Sequence, residues 1–246
     1  MRVLVSIDDT DNLESRGTGE LASIIADELE ENGWGQTSFV TRHQLLVHPD
    51  IPYTSHNSAM CFTAELAEGA LEKLIAHAST FLERESAPGS DPGLCVAVID
   101  TLPADQLIGF GRKAKESVLT KEEAYSMAHS LGVHLSEHGG TGHGVIGALA
   151  GAGLRLGGND GRLKGSIRLP ASCTMASVQT LLTLPEVDKV HCLSGGVVRE
   201  DDLVRFLDDK AKTVMIGGES VMLVAAAEPG SGAAWQTLHR RELKRY

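Results

Sequence analysis

The sequence predicts an α+β protein in which mixed sheets are packed by helices, and three observations predict it. An apolar segment, Val3-Leu-Val-Ser-Ile7, runs into the acidic cluster Asp8-Asp-Thr-Asp11 and then into a helical repeat of Leu21, Ile24, Ile25 and Leu29. A second loop, His138-Gly-Gly-Thr-Gly-His-Gly144, opens another apolar helical run. Beyond Gly161 short strands and helices alternate, a pattern that suits an α+β sandwich of ferredoxin-like size.

Taken in order, residues 3–7 read as a buried strand and 20–32 as the first helix, ending at Gly33. Residues 37–41 and 45–48 read as short extended segments, 59–66 as a strand and 68–83 as a helix. Two prolines and two glycines make 86–93 the best candidate for a long loop or an internal boundary, although Gly93 opens directly into a strand at 94–99. Helical spacing returns at 121–131 and 145–152. The second half reads as strands at 163–169, 189–193 and 221–227, with helices at 171–182, 201–207 and 233–245. This divides the chain into a region over 1–170 and a smaller α+β region over 171–246. No internal repeat or low-complexity tract is evident.

Composition narrows the function classes. A hydrophobic content of 42% and a charged content of 22% are those of a globular protein. No segment approaches the roughly 18 apolar residues of a membrane span, and no secretory leader is legible, so a cytoplasmic protein is expected. Cys61, Cys95, Cys173 and Cys192 show no Cys-x-x-Cys spacing and read as small core residues rather than a zinc site. A formal net charge of −11 disfavours a broad nucleic-acid surface. Local basic clusters remain at 112–115 and 240–245, the latter read as a solvated amphipathic helix. With 27 glycines against five Phe, three Tyr and two Trp, completion of the core by a partner or a second copy is one expectation.

Asp8, Asp9 and Asp11, with the hydroxyl of Thr10 between them, repel one another unless a cation or solvent neutralises them, and hard oxygen ligands ask for magnesium. Gly17, Thr18 and Gly19 stand within a turn of the following helix start, where backbone donors and the helix dipole favour phosphate. The loop with Gly140, Gly142, His143 and Gly144 could bring backbone donors of the next helix to an anion, or could be a tight turn with Gly147, Gly151 and Gly153 allowing close helix packing. His138 and His143 flank it without the spacing of a zinc helix.

Several segments together resemble, in order, the archaeal tRNA-isoleucine 2-agmatinylcytidine synthetase family. They are Ile7-Asp-Asp-Thr-Asp11, Pro52-Tyr53 with Asn57, Phe110-Gly-Arg-Lys-Ala114 leading to Val118-Leu-Thr-Lys-Glu-Glu-Ala124, and Gly142-His-Gly-Val-Ile-Gly-Ala-Leu-Ala150. The resemblance spans roughly residues 1 to 155. It implies a kinase-like domain built on the Asp-Asp-Thr-Asp loop, joined to a ferredoxin-like domain, that uses ATP to attach agmatine to a tRNA cytidine. By resemblance Asp8, Asp9 and Asp11 hold magnesium on the ATP phosphates and Thr18 matches the family's phosphoryl acceptor, although Thr18-Gly19 replaces a pair of threonines. Arg112, Lys113 and Lys115 are the cations expected to offset charge on the transferred group.

The family continues into an OB-fold and a zinc ribbon that grip tRNA, and neither is legible in this sequence. The expectation is therefore a magnesium- and ATP-dependent ligase or kinase-like enzyme that activates an unidentified acceptor, either a small amide or carbonyl compound or an RNA delivered by another subunit, with a small cationic amine as a candidate partner. Direct tRNA binding is not expected without a partner chain. The alternatives are a nucleotide- or metabolite-binding regulator without turnover, and a catalytic subunit whose RNA-binding part is a separate chain.

Overall fold

Alternation of side chains along a strand means that a strand apolar at every position is covered on both faces. In the computed structural model, which describes residues 1–51, 56–167, 174–208 and 211–246, the first strand is covered in this way. Strand β1 (Arg2–Asp8) sends Val3, Val5 and Ile7 into one core, and Leu4 into another. Ser6 and Asp8 share the second face by the same alternation, and this parity decides where the acidic cluster points.

The described residues form two units, Met1–Gly157 and Gly158–Tyr246. The boundary expected at residue 170 lies outside the described residues, as do Pro52-Tyr53 and Cys173. Unit 1 contains α1 (Thr18–Glu31), β2 (Gly35–Thr37), β3 (Thr41–Gln44), β4 (Ser58–Leu66), α2 (Leu71–Glu85) and β5 (Gly93–Val98) after β1. A short 3-10 turn (Ile99–Thr101), α3 (Ala104–Lys113), α4 (Lys121–Leu131), β6 (His134–Glu137) and α5 (Gly144–Gly157) complete it. Its sheet runs β6-β5-β1-β4-β3, every neighbour antiparallel, with β2 also paired to β4. Leu21, Ile25 and Leu29 of α1 and Leu74 and Phe81 of α2 cover the Val3 face. Leu107 and Phe110 of α3, Ala124 and Ala128 of α4, and Val145, Ala148 and Leu149 of α5 cover the Leu4 face. Segment 86–93 runs within this unit and is tied to the acidic loop by Ala87 N–H donating to Thr10 O at 2.9 Å.

Two elements of unit 1 differ from the sequence reading. Helix α3 occupies a stretch to which the sequence reading gave no helix, its last residues overlapping the basic cluster at 112–115, because Gly109 and Gly111 interrupt its pattern. The structure gives Gly111 a reason: a Cβ there would overlap Ala150 O and Leu154 N, and one on Gly153 would overlap Leu107 O, so the two glycines let α3 and α5 touch backbone to backbone. Strand β6 takes up His134 to Glu137 and pairs with β5.

Unit 2 contains β7 (Arg162–Leu163), β8 (Met175–Ser177), α6 (Val178–Leu181), β9 (Lys189–Cys192), β10 (Leu203–Arg205), β11 (Val214–Ile216), β12 (Glu219–Ala226) and β13 (Trp235–Thr237). Its strands run β7-β11-β12-β13-β10-β8, with β9 parallel to β12. The helix expected at 201–207 is strand β10, since Asp202 accepts Arg199 N–H at 2.9 Å and Trp235 Nε1–H at 2.8 Å and pins that segment beside β13. The helix expected at 233–245 is β13 followed by a 3-10 turn, Glu242–Arg245, with Leu238 and Leu243 buried against Val214, Val221 and Leu223. Of the helix expected at 171–182, the described part is β8 and the four residues of α6. Cys61, Cys95 and Cys192 are buried free thiols, as read. No helix among the described residues is long and apolar enough to cross a membrane.

Candidate functional site

The acidic cluster stands where β1 leaves the sheet. Asp8 is the last residue of the strand, opposite Gly93 of β5, and its Oδ1 accepts Asp9 N–H at 2.9 Å. Asp9 has φ 51°, the left-handed region that a short polar side chain tolerates, and is the one non-glycine residue so placed among the described residues. This turn directs the chain toward Asp11 and the start of α1. Helix α5 crosses directly behind. A Cβ on Gly147 would overlap the Asp8 carboxylate, one on Gly144 would overlap Asp91 O, and one on Gly151 would stand 2.6 Å from Ser6 Oγ. The glycines on this face of α5 thus serve the close packing that the sequence offered as one alternative.

Asp8, Asp9, Asp11, Gly17, Thr18, Gly19, His143 and Gly144 line a single cavity of about 640 Å³ within unit 1. Eight residues expected to act together are therefore brought together, from two loops more than 120 positions apart. Thr18 is the first residue of α1, is nearly buried, and its Oγ1 lies 3.5 Å from Thr10 N–H. Thr10 is fully buried behind the loop and does not line the cavity, and its Oγ1 has no hydrogen-bond partner.

Burial dominates the electrostatics. It pushes the Asp8 carboxyl up to about 8, assisted by the charges of Asp9 and Asp11 and opposed by the Asp9 N–H. Burial likewise raises Asp9 to about 6, with the charges of Asp91 and Asp11 adding and His143 opposing. Close to neutral pH the pair therefore resists carrying its full charge. A cation reverses that preference, because an adjacent positive charge favours the ionised form.

The glycine loop behaves differently from its expectation. Gly144 N–H donates to Asp91 O at 3.0 Å, Val145 N–H to Gly142 O at 3.4 Å and Ile146 N–H to His143 O at 3.1 Å. The first donors of α5 are thus engaged by the protein's own carbonyls and are not free for an anion. Gly140 (φ 55°) and Gly142 (φ 73°) do not line the cavity. A Cβ on them would overlap the carboxylates of Asp91 and Glu137 respectively, so these glycines admit acidic side chains of the chain itself.

Arg112, Lys113 and Lys115 do not line the cavity either. Lys113 Nζ bonds Glu123 Oε1 at 2.7 Å. The cations at the cavity are Lys121 and Arg42, which the sequence reading passed over. Lys121 Nζ donates to Glu137 Oε2 at 2.6 Å and to Thr141 O at 2.7 Å, and Arg42 Nε donates to Ser58 Oγ at 3.0 Å. A capping box places Lys121: Thr120 Oγ1 accepts Glu123 N–H and Glu123 accepts Thr120 N–H, which fixes where α4 begins. The Thr-x-x-Glu spacing of 120–123 was the available signal. Among the described residues no three His, Cys, Asp or Glu side chains are already grouped as a metal site.

No family model matches the chain. Over 161 residues, 63% of the chain, it is 31% identical to the tRNA-isoleucine 2-agmatinylcytidine synthetase TiaS of Methanosarcina acetivorans, of which the match covers 36%. The TiaS of Acidilobus saccharovorans is 30% identical over 154 residues, 58% of this chain and 32% of that protein. The crystal structure of a tRNA fluorescent labeling enzyme superposes with a TM-score of 0.55 at 29% identity, covering 62% of this chain and 36% of that one. A complex of TiaS with an isoleucine tRNA and ATP shares the fold with a TM-score of 0.56 at 24% identity, over 74% of this chain and 45% of that one. The chain spans about a third of the length of the curated relatives it matches. The resemblance to this family is thus upheld, and over most of its length this chain is similar to the tRNA-isoleucine 2-agmatinylcytidine synthetases.

Proposed function

We propose that this chain is a magnesium-dependent, ATP-using enzyme of the agmatinylcytidine-synthetase type, with kinase-like chemistry at the Asp8-Asp9-Asp11 loop. One observation carries the reading: Asp8, Asp9, Asp11 and Thr18 line one cavity, and burial with neighbouring negative charge raises Asp8 and Asp9 above the ordinary carboxylate range, a cost that a bound cation would offset. The donor set fits magnesium, which takes one or two carboxylates together with water and phosphate oxygens and needs no preassembled cage. Asp8, Asp9 and Asp11 would hold the ion. Bound magnesium supplies charge neutralisation to a triphosphate.

The chain's own groups complete the site. The first turn of α1, with Gly17, Thr18 and Gly19 at the cavity wall, presents the positive end of a helix dipole to a phosphate. Thr18 is the candidate phosphoryl acceptor, on resemblance. Lys121 and Arg42 take the charge-offsetting role first given to Arg112, Lys113 and Lys115. The acceptor proposed is a tRNA or small-molecule carbonyl, with a cationic amine as the second substrate, since the curated relatives are synthetases of agmatinylcytidine in an isoleucine tRNA.

The test is the protein with magnesium and ATP, resolving ADP, AMP, phosphate and pyrophosphate, beside Asp8→Asn. Turnover that disappears in the variant supports the reading. Equal turnover in both proteins, or no ATP binding by the wild type with any divalent metal, refutes it.

A further inference from the structure

The cavity wall also contains a hydrogen-bond chain that leads to a ring nitrogen. Asp91 sits at the entry to β5, and its carboxylate accepts Thr141 N–H at Oδ1 and the Thr141 hydroxyl at Oδ2, the latter at 2.6 Å. Burial works against its ionisation, but the Thr141 hydroxyl and N–H hold Asp91 below the ordinary carboxylate range, so it has no proton to give. Thr141 Oγ1 must then direct its single hydrogen at Asp91. His143 Nδ1 lies 2.6 Å from the same oxygen. With the hydroxyl hydrogen committed, that contact forms only if Nδ1 carries a hydrogen and donates it. A neutral His143 is thereby fixed as the Nδ1–H tautomer, and the lone pair falls on Nε2.

His143 lines the cavity beside Asp9, Thr18 and Lys121, with its side chain 55% exposed. We infer that His143 Nε2 is the proton acceptor of this site, with Thr141 and Asp91 as positioning residues. The inference rests on the ATP-using reading above. In the step it serves, the acceptor is a hydroxyl, that of water or of Thr18, whose oxygen bonds to a phosphorus of the nucleoside triphosphate. The bridging P–O bond breaks with its electron pair on the departing phosphate, and the acceptor's proton moves to Nε2. The imidazolium is then held by Thr141 Oγ1, with the Asp91 carboxylate 3.9 Å from Nδ1, and passes its proton to water as the site resets. The other charged groups that sense His143 are the carboxylates of Asp9 and Glu122.

Two measurements on the full chain test the inference. Long-range ¹H–¹⁵N spectra of the histidine side chains, with His143 identified by its absence in His143→Ala, should show the Nδ1–H tautomer in wild type. Thr141→Val should lose that preference. Magnesium-dependent ATP turnover, with water as acceptor, should fall roughly 100-fold or more in His143→Ala and be partly restored by added imidazole. Thr141→Val should lose about tenfold, and Thr141→Ser should recover most of that loss, as a merely structural loop contact would not require. An Nε2–H tautomer in wild type, or His143→Ala turnover that matches wild type or ignores imidazole, overturns the inference and leaves the ATP reading standing. A wild type that holds the Nδ1–H tautomer yet splits no ATP overturns the inference, and one that also fails to bind ATP with magnesium overturns both.

Discussion

The packing of α5 against the acidic loop makes opposite predictions for the same substitution at two helical glycines. Gly147→Ala puts a methyl group onto the Asp8 carboxylate, with Asp8 Cγ at 2.6 Å and Asp8 Cβ at 3.1 Å from the new carbon. Rotating the carboxylate clears its oxygens but not Cβ, and Asp8 is only 8% exposed, so the helix or the strand end must move. Overpacking of this kind costs about 1–3 kcal/mol, and the gain in helix propensity from Gly to Ala returns only about 1 kcal/mol. Gly109→Ala, on the exposed face of α3, has nothing within 4 Å of its new Cβ. It should therefore keep the propensity gain and stabilise by up to about 1 kcal/mol. Urea unfolding of the two variants beside wild type reads the difference, with unchanged m-values licensing the comparison. Gly147→Ala as stable as Gly109→Ala would refute the contact between α5 and Asp8. Displacement of Asp8 should also weaken nucleotide binding in Gly147→Ala alone.

Asp8 further predicts an inverted pH dependence. Because its folded pKa is raised, the folded state binds the extra proton between the unfolded value and about 8, and stability contributed by this group falls as pH rises through that window. From about pH 5.5 to about pH 8 the loss is on the order of 3 kcal/mol without metal; Asp8→Asn should flatten it and raise Tm at the higher pH, and added magnesium should oppose it. Lys121→Ala should weaken ATP binding while Lys113→Ala leaves it unchanged in equilibrium titration, since only the first lysine stands at the cavity. Thr120→Ala removes a capping box and should lower stability by about 1 kcal/mol in urea unfolding.

The acidic site was legible because its signals are local. A strand must end before Asp8-Asp-Thr-Asp11, a helix must begin near Thr18, and the two are adjacent in sequence. Residues 145–152 had the spacing of a helix, but the purpose of its glycines required knowing that it crosses β1, a contact between residues about 140 positions apart. The same limit hid Asp91, which reads as a loop aspartate until β5 and β6 bring it beneath Thr141. Helix α3 was lost because Gly109 and Gly111 weaken its pattern, and only the approach of α5 explains Gly111. In unit 2, Leu203, Val204 and Phe206 fit a helix or a strand equally over so short a run; pairing with Trp235 and Ala176 decides for the strand. The basic cluster at 112–115 misled for a related reason, since charge count carries no information about which side of a helix faces the cavity.

The most direct test of the account is calorimetric titration of the full chain with ATP, with and without magnesium, for wild type, Asp9→Asn and Asp11→Asn. Binding by wild type should require magnesium and be lost or weakened at least tenfold in each variant. Binding that survives both substitutions, or that is indifferent to magnesium, would place the nucleotide elsewhere and contradict it.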